Sequence, residues 1–253
     1  MKCNTRPFVS SDLPVAAELL AARIARAPGH FRRPGVPGAT AVLEDLVNAR
    51  GSLGVLAEVD GHPTGYLLGR PVLAEVDPIE AADYPLGSFV TPQEGHAVAD
   101  SRDAALVRQM YAALADELVA RGMLHHQVTL PSRDRATVDA WFSLGFGSEE
   151  TGAIRRVTAL RAPAVDVEIR RVAPVAIDEI EALADELNRH LEKTPAFFPT
   201  APDGAAAWRT LILEKLADPT CAFFVAYRDE KAVGMATFMD PWAFSPVFRP
   251  DSL

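Results

Sequence analysis

An internal repeat is the feature that most constrains the fold of this chain. Residues Thr5–Leu20 have the pattern of a short strand that runs into an amphipathic helix, and Ser52–Gly69 has the pattern of two strands around a turn. The same two patterns return in Glu168–Leu183 and in Cys221–Phe238. A repeat of this kind indicates one structural unit that is used twice.

The two predicted hairpins match residue by residue. Three residues of the first hairpin recur in the second at one constant offset: Ala57, Asp60 and Gly65 correspond to Ala226, Asp229 and Gly234. The first copy continues well beyond its hairpin, whereas the second reaches Leu253 soon afterwards. We therefore expect one full unit followed by a partial one.

Length and charge limit the class of protein. A chain of 253 residues fits one large domain or two modest ones, and the repeat favours two. The formal net charge is −9, with 34 acidic against 25 basic residues. Because binding to phosphate backbones relies on clustered lysine and arginine, we expect no nucleic-acid partner.

Nothing in the sequence predicts a membrane or secreted protein. No apolar run approaches the length that spans a bilayer, and the first residues lack the apolar region of a signal peptide. Cys3 and Cys221 are too few for a disulfide framework or a cysteine-rich metal site. The sequence thus predicts a cytoplasmic protein without membrane contact and without a metal.

The predicted elements alternate between strands and helices. Pro and Ala residues in Arg161–Asp166 separate two patterned regions, which predicts domains at 1–162 and 167–253. In the first, one helix over about 102–121 carries an apolar stripe of Leu106, Met110, Leu114 and Leu118. A fourth strand is expected within 88–99, interrupted at Pro92 and Gly95. The fold class expected is α/β, with a mixed, mostly antiparallel sheet flanked by helices and a partial second copy.

The order of these elements resembles the GNAT superfamily of acyl-CoA-dependent N-acyltransferases. Three stretches carry the resemblance: GVLAEVDGHPTGYLLGR, HAVADSRDAALVRQMYAALADEL and AWFSLGFG. It spans nearly all of residues 1–160, and the first half of the pattern recurs over 167–240. The chain is therefore similar to a tandem GNAT protein whose second module is incomplete. The resemblance implies transfer of an acetyl group from acetyl-CoA to an amine, with a small-molecule amine as one acceptor class.

The resemblance also indicates where acyl-CoA would bind. In that family the fourth strand, here around Val98, exposes backbone groups to the pantetheine arm, and the next helix start wraps the pyrophosphate with the pattern Arg/Gln-x-x-Gly-x-Gly/Ala. In this sequence the pattern falls on the six residues Arg102, Asp103, Ala104, Ala105, Leu106 and Val107. The arginine matches, but Ala105 stands where the first glycine is expected, and Val107 stands where a glycine or alanine is expected.

These departures weaken the predicted phosphate site. Free N–H groups and the positive dipole end make a helix start an anion site, and glycine allows close approach. Cβ atoms at Ala105 and Val107 hinder that approach. We expect Asp100 or Ser101 to cap this helix with its own side chain, while Asp103 adds negative charge in the first turn. A loosened site in which Arg102 alone pairs with a phosphate is the alternative.

The usual acid of the family is also absent. In the family a Phe-Tyr-x-x-x-Gly-Phe stretch often supplies a tyrosine that reprotonates the departing thiolate, and here Trp141 occupies that position. An indole N–H is too weak an acid for this role at neutral pH. Trp141 and Phe142 are more simply interpreted as core aromatics.

Several side chains are candidate bases. Glu58 ends a hairpin strand, where GNAT enzymes sometimes carry a carboxylate that deprotonates the amine through water; a solvated carboxylate is the alternative. His96 on the fourth strand is the second candidate, with a structural role as its alternative. Glu94 and Gln93 lie in the expected approach to the cleft, and the sequence leaves open whether their role is catalytic or structural. His125 and His126 are adjacent on a predicted strand, so they point to opposite faces and cannot chelate one metal.

The second copy is expected to lack the fourth strand, the cofactor helix and the closing strands. Its third strand, Val233–Met239, would then present an unpaired edge where another chain can pair. Three outcomes are open: the chain is a fragment of a longer protein, its sheet is completed by a partner molecule as in a homo-oligomer, or the half-module docks on the first domain. Two functions are open as well, an N-acetyltransferase and a catalytically inactive scaffold or dimerisation module.

Overall fold

A computed structural model describes most of the chain as two compact units. The described residues are 3–26, 35–73, 84, 87–100, 103–149, 151, 166–172, 177–193 and 204–238. Those of 3–73 and 87–147 form the first unit, and residue 84 and those between 148 and 238 belong to the second. The predicted boundary at 161–166 lies almost wholly outside the described residues, so the division at 162 and 167 stays a prediction.

The first unit is built on a six-stranded mixed sheet. Its strands are β1 (Cys3–Pro7), β2 (Leu53–Val59), β3 (His62–Pro71), β4 (Ser88–Thr91), β5 (His96–Val98) and β6 (His125–Val128). The order is β1-β2-β3-β4-β6, with β5 also paired to β3. Every pairing is antiparallel except that of β4 with β6, which is parallel.

Four helices cover the two faces of this sheet. They are α1 (Leu13–Arg26), α2 (Gly35–Asn48), α3 (Ala104–Ala120) and α4 (Arg135–Phe142). Successive strand residues point to opposite faces, and the burial follows that alternation. Leu56 and Tyr66 pack with α1 and α2, whereas Val55 and Leu67 pack with α3 and α4.

The predicted apolar stripe anchors α3 to the sheet. Leu106, Met110, Leu114 and Leu118 are all at most 4% exposed and belong to the same core cluster. Their spacing puts them on one face of the helix. This part of the sequence prediction is confirmed.

The sheet opens between β5 and β6. Ser88 lies opposite His125 and Thr91 opposite Val128, so β4 and β6 run side by side. The chain then passes through a 3-10 turn at Gln93–Gly95, and β5 pairs with β3 alone among the described strands. The interruption at Pro92 and Gly95 is therefore where the sequence predicts it, and it separates β5 from β6.

The second unit has a smaller sheet. Three antiparallel strands, β7 (Glu168–Arg171), β8 (Ala222–Arg228) and β9 (Lys231–Phe238), pair in chain order. The helices α5 (Ile177–Leu191) and α6 (Gly204–Ala217) accompany them. Ile180 and Val225, both at most 1% exposed, lie in the core of this unit.

The two hairpins share an irregularity in register. The β2–β3 register shifts between Ala57 and Glu58, and the β8–β9 register shifts between Ala226 and Tyr227. Both turns contain an aspartate with positive φ, 50° at Asp60 and 48° at Asp229. The same bulge and the same turn therefore occur at corresponding places in the two units.

The fold class agrees with the sequence. The molecule is α/β, with a mixed, mostly antiparallel sheet flanked by helices and a second, partial sheet. The sequence also predicts a strand within 151–160 that would close the sheet, and this stretch lies almost entirely outside the described residues.

Candidate functional site

A narrow cleft lies where β5 diverges from β6. It is lined from three sides: by α1, by the strands, and by α3 and α4. Its lining residues are Arg23, Arg26, Leu67, His96, Ala97, Val98, Val107, Met110, Asp134, Thr137 and Trp141. The free volume is about 10 Å³, which is close to the minimum that one water molecule needs.

The register of β5 turns the backbone groups of two of its residues away from β3. Ala99 N–H donates to Thr64 O at 2.8 Å, which fixes the hydrogen-bonded positions of the β3–β5 pair. Because hydrogen-bonded and non-hydrogen-bonded pairs alternate in an antiparallel ladder, Ala97 faces β3 while the backbone groups of His96 and Val98 point away from it. Those groups form the open edge of β5.

Two arginines of α1 occupy the carbonyl groups of this edge. Arg23 Nη1 donates to His96 O at 2.6 Å, and Arg26 Nη2 donates to Val98 O at 2.9 Å. Arg23 Nη2 also donates to Gln93 O at 2.5 Å in the preceding turn. The guanidinium groups thus take the hydrogen-bonding positions that an extended ligand would need.

The two arginines differ in burial. Arg23 is 7% exposed, and burial lowers the pKa of its guanidinium, an effect opposed by the negative or polar groups of Tyr66, Glu94 and Asp134. Arg26 is exposed at the last residue of α1. Arg23 is therefore part of the core, whereas Arg26 reaches the cleft from the surface.

His96 bridges the opening as a neutral side chain. Its Nε2 lies 3.0 Å from Thr129 O, a pure acceptor, so Nε2 carries the proton. Arg23 Nη1 lies 3.2 Å from both ring nitrogens, and Nδ1 is the one that can accept from it. Burial, with the positive charge of Arg23, lowers the pKa of His96 to about 3. A group of such low pKa with both ring nitrogens engaged does not suit the role of general base, so the structure argues against the sequence hypothesis for His96.

The helix start is capped by a different residue from those predicted. Asp103, with non-helical backbone, is the N-cap of α3, and its Oδ1 accepts from Leu106 N–H at 3.0 Å. The expectation that Asp100 or Ser101 caps the helix is therefore wrong. The Asp103 carboxylate accepts from an N–H group that a phosphate would otherwise use, and it adds negative charge at the N-terminus of α3.

The other residues predicted to bind the cofactor are spread over the cleft, the core and the helix surface. Val98 and Val107 line the cleft. Leu106 is buried in the core, Ala104 is partly buried, and Ala105 is exposed on the first turn. Arg102 lies outside the described residues.

Glu58 lies away from the cleft lining. Its Oε1 accepts from Arg6 Nε at 3.1 Å, and Arg6 also pairs with Asp12 at 2.7 Å. The Arg6 guanidinium lowers the pKa of the Asp12 carboxyl. The structure does not bring Glu58 and His96 together in one site. Glu58 belongs to an ion-pair cluster at the β1–β2 edge, whereas the alternative interpretation from the sequence was a solvated carboxylate.

Glu94 lies in the turn where the strands part. Its backbone carbonyl accepts from Tyr66 Oη at 2.6 Å, and α2 packs against this turn. Burial raises the pKa of the Glu94 carboxyl above its ordinary value, and nearby Arg23 and Arg70 oppose the rise. Of the carboxylates considered from the sequence, Glu94 is therefore the one that combines this position with a raised pKa.

The aromatic residues of α4 divide between core and surface. Trp141 is 2% exposed and packs edge-on against Tyr111 and Phe146, with ring centroids 5.4 and 4.9 Å away. Phe142 is 47% exposed, so its interpretation as a core aromatic is wrong. Trp141 lines the cleft and presents no acid there.

The two adjacent histidines of β6 are held separately. His125 Nδ1 lies 2.9 Å from Ser88 Oγ, and His126 Nδ1 lies 2.8 Å from Tyr111 Oη. They have different partners, in line with opposite faces of the strand. Within the described residues, no group of three or more His, Cys, Asp or Glu side chains is arranged to hold a metal ion.

None of the described helices combines the length and apolarity needed to cross a bilayer.

Sequence reasoning did not find Arg23 and Arg26. They lie three residues apart on the last turns of α1, and the sequence pattern of an amphipathic helix gives no signal that they reach a strand 73 and 72 residues later. Their guanidinium groups occupy the β5 side of the cleft, whereas Asp103, which caps α3, is not among the residues that line it. In the arrangement described, the cleft does not accommodate a pantetheine arm.

Comparisons with known proteins give distant structural similarities. No protein-family model matches the sequence, and no curated protein matches it either. A similar solved structure is the aminoglycoside N-acetyltransferase AAC(6')-Iy in complex with CoA, with 18% identity, a TM-score of 0.43, and coverage of 62% of this chain and 96% of that one.

Two further solved structures are similar to this chain. One is ribosomal-protein-alanine N-acetyltransferase from Brucella melitensis biovar Abortus 2308, with 15% identity, a TM-score of 0.43, and coverage of 62% of this chain and all of the other. The other is ribosomal-protein-S18-alanine N-acetyltransferase from Escherichia coli, with 18% identity, a TM-score of 0.42, and coverage of 59% and 80%. Similarities this distant do not decide what the present chain binds.

Proposed function

We propose that this protein descends from the GNAT N-acetyltransferases and transfers the acetyl group of acetyl-CoA to a small-molecule amine. The observation that carries the proposal is the separation of β5 from β6 after the turn at Gln93–Gly95. This opening corresponds to the place where, by the resemblance of the sequence, the pantetheine arm of acyl-CoA would lie. An amine acceptor, which is protonated at neutral pH, would also need a base close to the same opening to take its proton before it attacks the thioester.

Glu94 is the base that we propose in place of Glu58 and His96. Glu94 belongs to the 3-10 turn at the opening, against which α2 packs. A carboxyl with a raised pKa is a better proton acceptor near neutral pH than an ordinary one. Glu58 is held by Arg6, and His96 is buried with both ring nitrogens engaged.

A tandem architecture is part of the proposal. The matching bulges at Ala57 and Ala226, and the matching turns at Asp60 and Asp229, support descent of the two units from one ancestor. We propose the division into a GNAT-like domain at 1–162 and a partial copy at 167–253. A cytoplasmic location and pairing of two molecules through the second sheet belong to the same proposal.

A second candidate function is a catalytically inactive scaffold or dimerisation module. The filled cleft favours it. Arg23 and Arg26 occupy the carbonyls of β5, Asp103 occupies the N–H of Leu106, and the free volume is about 10 Å³. A first unit fixed in this arrangement would leave no room for acyl-CoA.

The deciding experiment combines binding and turnover on the full chain. Acetyl-CoA is titrated by calorimetry up to millimolar concentration, and release of the CoA thiol is followed with a panel of small-molecule amines. The acetyltransferase proposal expects saturable heat and amine-dependent thiol release that E94Q lowers. Absence of both heat and thiol release would leave the scaffold as the function.

A further inference from the structure

Arg26 holds a position that is unusual for an exposed arginine. Its stem leaves the last residue of α1 at the surface, yet its Nη2 donates to Val98 O on the open edge of β5 at 2.9 Å. Val98 is 6% exposed and lines the cleft. One surface side chain thus reaches into a cleft whose other lining residues are buried, apart from the partly buried Asp134.

The neighbouring Arg23 does not have this freedom. It is 7% exposed and donates to the carbonyls of both His96 and Gln93. Withdrawal of a buried guanidinium would leave those carbonyls without their donor and expose the core, which is strongly unfavourable. Arg23 is therefore a fixed wall of the cleft.

Arg26 can leave with little disturbance. Its charge can return to water, because its residue is exposed, and its departure frees Val98 O without moving the core around Arg23. The bond between Arg26 and Val98 also competes directly with any extended amide chain that pairs with β5, since both need the same carbonyl.

We propose that Arg26 is a gate on the cleft of the first unit: its guanidinium closes the β5 edge by binding Val98 O, and acyl-CoA enters only when this bond is broken. The gate rests on the proposed acyl-CoA function for its purpose, but its closure of the cleft is a property of the free protein. Trp141, which lines the cleft and is 2% exposed, reports that closure.

The test measures the cleft without any ligand first. In a W208F/W242F background Trp141 is the only tryptophan, and acrylamide quenching of its fluorescence measures its accessibility. R26A is expected to raise the quenching constant about twofold. R121A is the matched control, since Arg121 is an exposed arginine at the far end of α3 that pairs with Glu117. R26M, which keeps an unbranched stem without a donor, replaces R26A if that variant is unstable.

The second arm titrates CoA into the same variants by calorimetry. R26A is expected to bind CoA about tenfold more tightly than the parent protein, as removal of one competing charged hydrogen bond allows, while R121A binds like the parent.

The outcomes separate the gate from the enzyme. Raised quenching together with tighter CoA binding in R26A supports the gate. If no variant binds CoA, the acetyltransferase proposal is contradicted, and the gate, which would then admit no acyl-CoA, is overturned with it. Unchanged quenching in both R26A and R26M, or equal CoA affinity in R26A and the parent, overturns the gate and leaves the acetyltransferase proposal standing wherever CoA binds.

Discussion

Arg23 contacts His96 twice, through the imidazole ring at 3.2 Å and through the backbone carbonyl at 2.6 Å. The positive guanidinium beside the ring adds to burial in holding the pKa of His96 at about 3. His96 therefore stays neutral in the folded protein and acts as a brace across the opening between β5 and β6.

The first prediction concerns acid stability. The folded pKa of His96 lies below its ordinary value of 6.5, so the unfolded chain takes up the proton first as the pH falls. The stability that the neutral histidine contributes is full above pH 6.5 and is lost progressively between about pH 6.5 and 3. By pH 4.5 the loss from this group is on the order of 2–3 kcal/mol.

Urea unfolding at pH 7 and pH 4.5, followed by Trp141 fluorescence in the W208F/W242F background, measures this loss. H96Q cannot titrate, so its stability should fall less over the same interval. Other titrating groups, such as Asp12, contribute equally to the pH dependence of stability in both proteins. Equal pH dependence in H96Q and the parent would contradict the assigned role of His96.

The second prediction concerns the turn that separates the strands. A Cβ atom on Gly95 would lie 2.2 Å from Leu68 O, a backbone atom of β3 that cannot yield easily. We expect G95A to destabilise the first unit by about 2 kcal/mol or more through this overlap. G147A is the control, since no atom lies within 4 Å of a Cβ there. Equal unfolding midpoints in thermal denaturation would argue against the described path of the turn.

The third prediction concerns the cap of α3. Removal of the Asp103 acceptor leaves Leu106 N–H unpaired, so D103A should lower the free energy of unfolding by about 1 kcal/mol. D103S keeps a side-chain acceptor at the N-cap and should retain most of that stability. Urea denaturation of the three proteins provides the measurement, and a D103A protein as stable as D103S would place the cap at another residue.

The fourth prediction separates the candidate bases in the proposed reaction. E94Q removes the carboxylate at the strand opening and should reduce kcat by about 100-fold, the usual contribution of a general base. E58Q should leave kcat within about twofold, because Glu58 pairs with Arg6 outside the cleft. Because burial raises the pKa of Glu94, the activity of the parent should rise with pH through a pKa above that of an ordinary glutamate. A larger loss in E58Q than in E94Q would reverse the assignment.

The fifth prediction concerns self-association through the second sheet. Ile169 and Phe238 are 63% and 62% exposed, and the ring of Phe238 lies 5.7 Å from that of Phe224 on the same face. Within the described residues β9 pairs only with β8. We expect two copies to associate through this sheet, and F238K should weaken the association about tenfold in analytical ultracentrifugation.

L187K serves as its control, because Leu187 is 50% exposed on α5 and does not belong to the sheet. If F238K and L187K associate like the parent, or if the parent remains monomeric at high concentration, the second sheet does not mediate assembly.

Local patterns in the sequence were sufficient to predict the elements. The spacing of Leu106, Met110 and Leu114 predicts α3 and the face that it buries, because helical residues three or four apart share one side. Asp60-Gly61 predicts the first hairpin turn, because both residues adopt positive φ there. These signals depend only on neighbours within a few residues.

The candidate site depended on contacts that no local pattern contains. Arg23 and His96 are 73 residues apart, and Arg26 and Val98 are 72 apart. The cap of α3 is Asp103, and not Asp100 or Ser101 as the sequence predicted, because the backbone before Ala104 decides which side chain can reach Leu106 N–H. Only the tertiary structure could show this.

The sequence by itself determined that this protein contains a mixed sheet with flanking helices and a second, partial sheet, because side-chain periodicity and turn residues act over short distances. The state of the cleft was decided by tertiary structure alone. Hydrogen bonding, burial and the pKa of His96 all depend on which distant groups the fold brings together, and two arginines of α1 close the edge of β5 for that reason.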